Sequence, residues 1–478
     1  MATAGRAKTI AALTAVTTAL LLSVSPAPAG AAAGARRVQP DGSDWSAYLY
    51  GPTHSSYNPS ETAITTANAS SLVLQGQWKP DSNIYASPTV VGDTVYIGDE
   101  AGVFFALDWT TGQVEWHTNL GYQPPLTCPN GLGVTSTATV APDPVTGRST
   151  VYVAGGNGYL YALDAATGAV DWRSAVGVPS HTRNDYYNWS SPLVSNGEVY
   201  MGIASGCDAP LVRGGLKEYD QHTGALQATY YTVPAGQVGG TIWSSPAVAE
   251  DGSIVVTTGN GPNGTNYPGT DSITRLNPTT LAVEDSWQVP LSEQTVDGDF
   301  GGSATMFTAD LDGASTPMVG ACDKNGWYYA WKQQDLAAGP VWSYQMGKPH
   351  AAHCEAAAIW DGSQLIEGGN VTTIDGQEVA GSVQSLDPAT GAVLWATALP
   401  GVDFGSPSED GAGVVAAPVF VAATDQLGVV LLDANTGQIL SEIYTGSPDF
   451  AQPVFAQDSL WLAAGPNFGL AQYVIPSG

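Results

Sequence analysis

The sequence predicts an all-β protein: an eight-bladed β-propeller of four-stranded blades whose ring is closed by a strand from the N-terminal part of the chain. A phrase recurs along the 478 residues, most clearly at Ser87–Trp116, Val151–Trp172 and Ser382–Trp395. A period of roughly 40 to 55 residues built from short strands is typical of propellers. The composition agrees, since 57 glycines, 32 prolines and only 12% charged residues suit many tight turns. Weaker copies of the phrase occur at Tyr219–Leu226, Leu276–Trp287, Ala330–Trp342 and Leu431–Leu440.

Each copy of the phrase divides into the same four strands. A Ser-Pro or another small residue begins the inner strand, a hydrophobic second strand follows, and the third strand ends in Leu-Asp, as at Leu163-Asp164. A Thr-Gly turn then leads into a fourth strand that ends in Trp, as at Trp172. We expect the Asp side chain to cap the turn, the Gly to supply a positive φ and the Trp to fill the space between neighbouring blades.

Eight inner strands can be counted, and the ring needs one more strand to close. The chain ends after Leu470–Ile475, which leaves the last blade without a fourth strand. Leu72–Trp78, which precedes the first blade, is predicted to supply it, because closure removes open sheet edges. Asp44–Ser70 is expected to be a loop packed against the ring, and residues 34–478 are predicted to form a single domain. The inner strands are predicted to begin near Ala86, Ser136, Ser190, Ser244, Ser303, Ala356, Val414 and Gln452.

Residues 1–33 have the pattern of a secretory signal peptide. Arg6 and Lys8 form the basic region, Ile10–Val24 the apolar region, and Ala-rich segments that suit cleavage follow. A membrane anchor is the alternative, but the apolar run is short for a spanning helix. We therefore expect a secreted protein without a membrane span. Its net charge of −29 argues against nucleic acid and anionic membrane surfaces as partners.

The chain contains four cysteines, and an even number in an exported protein favours disulfides. Cys322 and Cys354 are expected to reach the same face of neighbouring blades, which favours a Cys322–Cys354 bridge, and similar reasoning pairs Cys128 with Cys207. The sequence alone leaves this connectivity open. A second interpretation is a transition-metal site in the cluster His350, His353, Cys354 and Glu355. No CxxCH motif is present, which excludes covalent c-type haem.

The repeat resembles that of the pyrroloquinoline quinone (PQQ) dehydrogenase-like propellers over nearly the whole of the mature chain. Trp45, Tyr48 and Tyr57-Asn58-Pro59 are also similar to the lead-in of that family. The polyvinyl-alcohol dehydrogenase-like members look most similar around Trp243–Asn260 and Asp297–Phe300. The family also contains the non-catalytic scaffold lipoproteins of outer-membrane assembly, so the repeat is more specific for the fold than for the chemistry.

Five segments are similar, in the same order, to the cofactor-binding segments of the quinoprotein alcohol dehydrogenases. They are SGCDAPLVRG (Ser205–Gly214), GGTIW (Gly239–Trp243), TTGN (Thr257–Asn260), VDGDF (Val296–Phe300) and CDKNG (Cys322–Gly326). The resemblance implies three classes of site residue. They are the metal ligands Asp208, Asn260 and Asp299, the catalytic base Asp297, and the cofactor-binding residues Trp243, Lys324, Asn325 and Arg213.

The resemblance implies PQQ beside a calcium ion, because carboxylate and amide oxygens suit such a hard cation. A lanthanide is the alternative metal, since a second Asp two residues after the base resembles the lanthanide-dependent members. The implied reaction is oxidation of an alcohol or sugar-like hydroxyl, in a small molecule or a polymer. Because no haem motif is present, the electron acceptor must be external.

Several features depart from the family, and two of them concern the candidate cofactor site most directly. Asp208 occupies the position of a Glu ligand and is one carbon shorter, and the pair of adjacent cysteines over the cofactor is missing. Each of these residues also has a structural interpretation, as a turn cap, a blade-packing Trp or a salt-bridge partner. The alternative function is therefore a non-catalytic propeller that binds a protein or a polysaccharide. Convergence of the site residues on the ring axis favours the enzyme, whereas their dispersal or a plugged axis favours the scaffold.

Overall fold

The structure is a computed structural model, and it describes the chain with several gaps. The described residues are 42–123, 132–178, 185–262, 265, 267–295, 297–348, 354–403, 405–421, 424, 426–445, 451–465 and 468–476. The predicted signal peptide, Cys128, His350 and His353 lie outside these ranges. Within them, none of the helices has the length and hydrophobicity needed to cross a membrane.

The N-terminal part of the described chain contains two 3-10 turns, Tyr48–Tyr50 and Ala69–Ser71, and the strands β1 (Tyr57–Asn58) and β2 (Val73–Trp78). Blade one then contains β3 (Thr89–Val91), β4 (Thr94–Gly98), β5 (Val103–Asp108) and β6 (Gln113–Asn119). Blade two contains β7 (Thr139–Pro142), β8 (Ser149–Ala154), β9 (Tyr159–Asp164) and β10 (Val170–Ala175). Blade three contains β11 (Tyr186–Tyr187), β12 (Leu193–Ser195), β13 (Glu198–Ser205), β14 (Gly215–Asp220) and β15 (Leu226–Tyr231). Blade four contains β16 (Ala247–Val248), β17 (Ile254–Thr257), β18 (Ser272–Leu276) and β19 (Val283–Gln288).

The second half of the ring repeats this plan. Blade five contains β20 (Thr305–Leu311), β21 (Ala314–Cys322), β22 (Trp327–Lys332), the 3-10 turn Leu336–Ala338 and β23 (Trp342–Gln345). Blade six contains β24 (Ile359–Trp360), β25 (Leu365–Ile374), β26 (Gln377–Leu386) and β27 (Val393–Leu399). Blade seven contains β28 (Ser408–Asp410), β29 (Val414–Val421), β30 (Gln426–Asp433) and β31 (Ile439–Tyr444). Blade eight contains β32 (Val454–Ala456), β33 (Ser459–Ala464) and β34 (Gly469–Val474).

The predicted ring closure is confirmed. β2 pairs antiparallel with β34, from Val73 opposite Val474 to Trp78 opposite Leu470, and becomes the fourth strand of blade eight. One predicted boundary is wrong: the inner strand of blade seven is β28, and Val414 begins the second strand instead. The residues of β28 are polar, so hydrophobicity indicates only the strand that begins at Val414.

Four junctions between blades are filled by the Trp of the repeat, as predicted. Each indole lies against the Gly of the next blade's Thr-Gly turn, where an added Cβ would come within 2.4 Å of a ring carbon. Each indole N–H also donates to a backbone carbonyl of that turn at 2.8–3.2 Å. Glycine is needed at these positions because it tolerates the positive φ and leaves room for the close approach of the ring. The Trp–Gly pairs are Trp116–Gly168, Trp172–Gly224, Trp342–Gly391 and Trp395–Gly437.

The small residues that begin the inner strands are linked by hydrogen bonds from blade to blade. A backbone N–H of one blade donates to the hydroxyl of the next at 2.9–3.0 Å, which explains the Ser and Thr at these positions. The donor–acceptor pairs are Ser87–Thr137, Thr137–Ser191, Ser191–Ser245, Ser245–Ser303, Ala357–Ser406 and Gln452–Ser87.

The segment before β1 packs against the ring, as predicted for Asp44–Ser70. Its backbone carbonyls accept N–H bonds from inner strands of blades one, two, four, five, six and seven. The His54 side chain is buried and its Nδ1 lies 3.0 Å from the carbonyl oxygen of Ala304. Burial lowers the pKa of His54 to about 4. The segment therefore packs along the inner strands around the axis and reaches Ala304, immediately before β20.

Two buried carboxylates predict that the protein is more stable in mildly acidic solution than at higher pH. Burial raises the pKa of Glu100 and of Asp410 to about 7. Their contribution to stability is complete below the pKa that these carboxyl groups have in the unfolded chain, and it is lost as the pH rises through their folded-state pKa of about 7. We expect the thermal midpoint, measured with a chelator present, to fall by on the order of 5 °C between about pH 5.5 and about pH 8. A midpoint that rises over this range would contradict the prediction.

Candidate functional site

Three aspartates from two different loops form the core of the candidate site. Asp208 follows β13, and Asp297 and Asp299 lie between β19 and β20. One carboxylate oxygen of each lies within 4.8 Å of those of the other two. Asp208 and Asp297 are exposed, whereas Asp299 is buried. Although the residue as a whole is exposed, loss of hydration around its carboxyl raises the pKa of Asp208, and the nearby Asp297 raises it further. A cluster of this composition offers oxygen ligands to a hard cation.

Lys324 is the cation of the cluster. Its Nζ lies 3.1 Å from Asp299, 3.5 Å from Asp297 and 3.7 Å from Glu355. Burial opposes its charge, but the carboxylates around it raise its pKa above the ordinary value. Burial likewise raises the pKa of Asp299 to about 6, although Lys324 acts in the opposite direction. One ammonium therefore faces more carboxylates than it can neutralise, which leaves the site with excess negative charge.

Asn260 supplies an unused acceptor at the edge of this cluster. It follows β17, and its backbone N–H donates to Asp299 Oδ1. Its side-chain Nδ2 donates to Asp297 Oδ1 at 3.5 Å. Its Oδ1 is buried and has no hydrogen-bond partner among the described residues. A buried amide oxygen without a partner beside three carboxylates fits a metal ligand, because such an oxygen is otherwise unfavourable.

Trp243 gives the site a flat aromatic face. Lys324 Nζ lies 5.1 Å from the centroid of its ring, within the range of a cation–π contact. Gly301 lets Trp243 and Glu355 approach each other, because a Cβ on it would lie 3.0 Å from the indole and 2.7 Å from Glu355 Cγ. Trp243 is half-buried, so part of the face is accessible.

A second pair of acids lies behind the cluster. Burial raises the pKa of Asp271, and its neighbour Asp323 raises it further. The pKa of Asp323 is also raised, first by burial, although Asp271 forms a hydrogen bond to its carboxylate. Asp271 is therefore the proton donor of the pair. Because Asp299 adds to the repulsion at both residues, the inner wall of the site favours cations over further anions.

The structure gives two of the predicted cofactor-binding residues other partners. The Arg213 guanidinium lies 3.9 Å from the Tyr231 ring centroid, and its Nε donates to a backbone carbonyl at 2.8 Å. Asn325 is buried, and its Nδ2 donates to the Tyr329 hydroxyl at 2.9 Å. Its Oδ1 accepts the backbone N–H of Trp327. The contact of both residues with a cofactor stays a prediction.

The predicted Cys322–Cys354 disulfide is confirmed, with 5.4 Å between the two Cα atoms. Cys354 therefore cannot serve as a thiolate ligand, and the transition-metal interpretation of its cluster is wrong in that respect. Cys207 is also disulfide-bonded, and its predicted partner Cys128 lies outside the described residues. The bridge holds the strand end before Lys324 next to Glu355, which the sequence interpretation did not place in the site. The disulfide prediction was the signal that could have found Glu355.

Comparison with known proteins identifies the class of this propeller. Residues 45–253 match the family model described as the β-propeller domain of glucose, ethanol and alcohol dehydrogenases, abbreviated PQQ. Residues 379–473 match a second model, described as the outer membrane protein assembly factor BamB. The chain carries a PQQ-like β-propeller domain. A polyvinylalcohol dehydrogenase of Sphingopyxis sp. (strain 113P3) is 24% identical over 413 residues, which cover 79% of this chain. The match covers 55% of that relative, so the chain spans about half its length.

Solved structures support the same fold. The quinohemoprotein alcohol dehydrogenase from Comamonas testosteroni superposes with a TM-score of 0.72 at 18% identity, covering 93% of this chain and 82% of that protein. A europium-containing methanol dehydrogenase superposes with a TM-score of 0.70 at 17% identity, covering 89% of this chain and 90% of that protein. At this identity the likeness concerns the fold alone.

Proposed function

We propose that this protein is an exported, PQQ-dependent dehydrogenase that oxidises an alcohol or sugar-like hydroxyl and passes the electrons to an external acceptor. The observation that carries the proposal is the buried Asn260 Oδ1 without a partner, next to the three carboxylates of Asp208, Asp297 and Asp299. The similarity to polyvinylalcohol dehydrogenase favours a hydroxyl substrate, in a small molecule or a polymer. Export, and residues 34–478 as the single mature domain, are part of the proposal and rest on the pattern of residues 1–33.

The residues of the cluster fit a calcium-type ion, with a lanthanide as the alternative. Asp208, Asp299 and Asn260 would hold the ion, because hard cations prefer carboxylate and amide oxygens. Asp208 is one carbon shorter than the Glu of the family. Asp299, the second aspartate of the VDGDF segment, compensates for this by adding another carboxylate to the same cluster. When bound, PQQ would accept the electrons and hydrogen removed from the alcohol carbon, and the ion would polarise its quinone.

The chain's own residues divide the remaining tasks. The accessible face of Trp243 suits stacking with a planar ring system. Lys324, whose ammonium lies over that ring, supplies a cationic hydrogen-bond donor. Asp297 is the exposed carboxylate of the cluster, so it can reach a substrate hydroxyl and accept its proton as a general base. Asp299, buried behind it, is available to the ion instead.

A non-catalytic scaffold that binds a protein or a polysaccharide is the second candidate. Two observations favour it: the BamB-type match over residues 379–473, and the N-terminal segment that packs along the inner strands around the axis. Asp208 and Asp297 are exposed, so the segment does not close the candidate site. For this reason the dehydrogenase is the preferred proposal.

Titration with metal and cofactor tests the proposal. We expect saturable, stoichiometric binding of PQQ in the presence of calcium or lanthanum, followed by absorbance and by a rise of the thermal midpoint. Terbium alone should give luminescence sensitised by Trp243. Asn260→Ala should weaken metal binding by at least about tenfold, because it removes one oxygen ligand.

The matched control is Asn435→Ala, which truncates an exposed asparagine in a turn of blade seven. It should bind metal and PQQ like the unaltered protein. Absence of saturable PQQ binding with either metal would overturn the dehydrogenase proposal and favour the non-catalytic scaffold. Equal binding by the Asn260 variant and the control would remove Asn260 from the metal site.

A further inference from the structure

The ring-closing junction between blades eight and one lacks the Trp that fills four other junctions. In β6, β10 and β27 that Trp is the residue that follows a bulge in the pairing with the third strand. In β2 the bulge falls between Leu74 and Gly76, so Gly76 occupies the Trp position. Trp78 lies two residues further on and packs edge-to-face on Phe105, with ring centroids 4.8 Å apart. Trp78, the last residue of β2, therefore does not fill the junction between blades as Trp116 does.

The receiving side of this junction is also open. Gly112, with a φ of 68°, stands where Gly168 receives the indole of Trp116. An added Cβ on Gly76 or on Gly112 meets nothing within 4 Å, whereas one on Gly168 would clash with an indole. Two glycines thus face the same unfilled space from opposite blades.

The space is a cleft with aromatic walls. Its empty space, counted together with the solvent onto which it opens, is about 390 Å³, and Trp78, Trp109 and Trp461 contribute to its lining. Trp109 and Trp461 meet edge-to-face, with centroids 6.0 Å apart. The Trp109 Nε1–H donates to the carbonyl of Gly92 at 3.0 Å, which fixes the ring against the cleft wall. These rings narrow the cleft without filling it.

The other junctions show what such a cleft accepts. At each of the four, an indole lies flat on the glycine and donates its N–H to the carbonyl of the residue after the turn's Asp, such as Ala165 after Asp164. The same position in blade one is Trp109, after Asp108. We propose that the cleft between blades eight and one is a binding site for a small planar aromatic molecule of indole size that carries an N–H donor.

Binding of fluorinated indole tests this proposal independently of the dehydrogenase site. We expect 5-fluoroindole to bind the full protein saturably in ¹⁹F NMR, and its N-methyl derivative to bind more weakly because it lacks the donor. Gly76→Trp should fill the cleft with the protein's own indole. That variant should weaken 5-fluoroindole binding by at least about tenfold and raise the thermal midpoint by a few degrees.

Val73→Trp is the matched control, because it adds a Trp to the same exposed strand outside the cleft lining. It should bind 5-fluoroindole like the unaltered protein. A soak of crystals with 5-bromoindole should place the bromine signal between Gly76 and Gly112 even if the Gly76 variant does not fold. Absence of saturable binding, equal binding by Gly76→Trp and Val73→Trp, or a bromine signal elsewhere would overturn the proposal.

Discussion

Replacing Asp297 by Asn is expected to reduce alcohol oxidation by about 10²- to 10⁴-fold, the usual effect of removing a general base. Asparagine keeps the size of the side chain but cannot accept the substrate proton. Asp297 is exposed, whereas Asp299 is buried against Lys324, so Asp297 is the carboxylate that a substrate hydroxyl can reach. The measurement is the turnover of the PQQ- and metal-loaded protein with an artificial acceptor, at saturating metal.

The control for this variant separates the base from a metal ligand. A carboxylate oxygen of Asp297 lies within 4.8 Å of oxygens of Asp208 and Asp299, so metal binding by Asp297→Asn must be measured in the same preparation. Asp312→Asn, in the exposed hairpin turn of blade five, removes a carboxylate of equal size away from the site and should leave turnover unchanged. Turnover of the Asp297 variant within a factor of about ten of the control would remove Asp297 as the base. Lost turnover with lost metal binding would make Asp297 a ligand.

The blades can be predicted from the sequence because each residue of the repeat acts locally. Asp164 accepts N–H and hydroxyl bonds within its own turn, and Gly168 is required beneath Trp116. Blade seven shows the limit of this reasoning. Its inner strand is the polar β28, which pairs with β1 on one side, and neither periodicity nor hydrophobicity marks it. The strand is defined by its long-range partners.

A site residue can be predicted only where it lies in one of the five segments that are similar, in the same order, to the cofactor-binding segments of the quinoprotein alcohol dehydrogenases. Six site residues from five loops come together, namely Asp208, Trp243, Asn260, Asp297, Asp299 and Lys324. The sequence places Glu355 only in the transition-metal cluster, because its contact with Lys324 depends on a disulfide between two blades. For Asn325 the partner is Tyr329 on the next strand, and short sequence similarity does not reveal that competing hydrogen bond.

Replacing Lys324 by Met is expected to destabilise the metal-free protein by about 3–5 kcal/mol at pH 8, because it leaves the buried Asp299 carboxylate without its ion pair. The Lys324 side chain is 17% exposed and that of Asp299 only 4%, so water cannot replace the lost partner. The pKa of Asp299 is already raised to about 6 by burial and should rise further in the variant. Protonation then removes the charge, so the destabilisation should shrink as the pH falls below that pKa. Thermal melts across this range measure both effects.

The structure provides a control pair that separates burial from charge. Lys348 also pairs with a carboxylate, that of Glu378, but these side chains are 53% and 58% exposed. Lys348→Met should therefore change stability by less than about 1 kcal/mol at any pH. The double variant Lys324→Met with Asp299→Asn should recover most of the loss, because no unpaired buried charge remains. Lanthanum should stabilise Lys324→Met more than the unaltered protein, since a multivalent cation can take over the neutralisation of Asp299. Equal melting of the two lysine variants at pH 8 would show that the Lys324–Asp299 pair does not hold the site together.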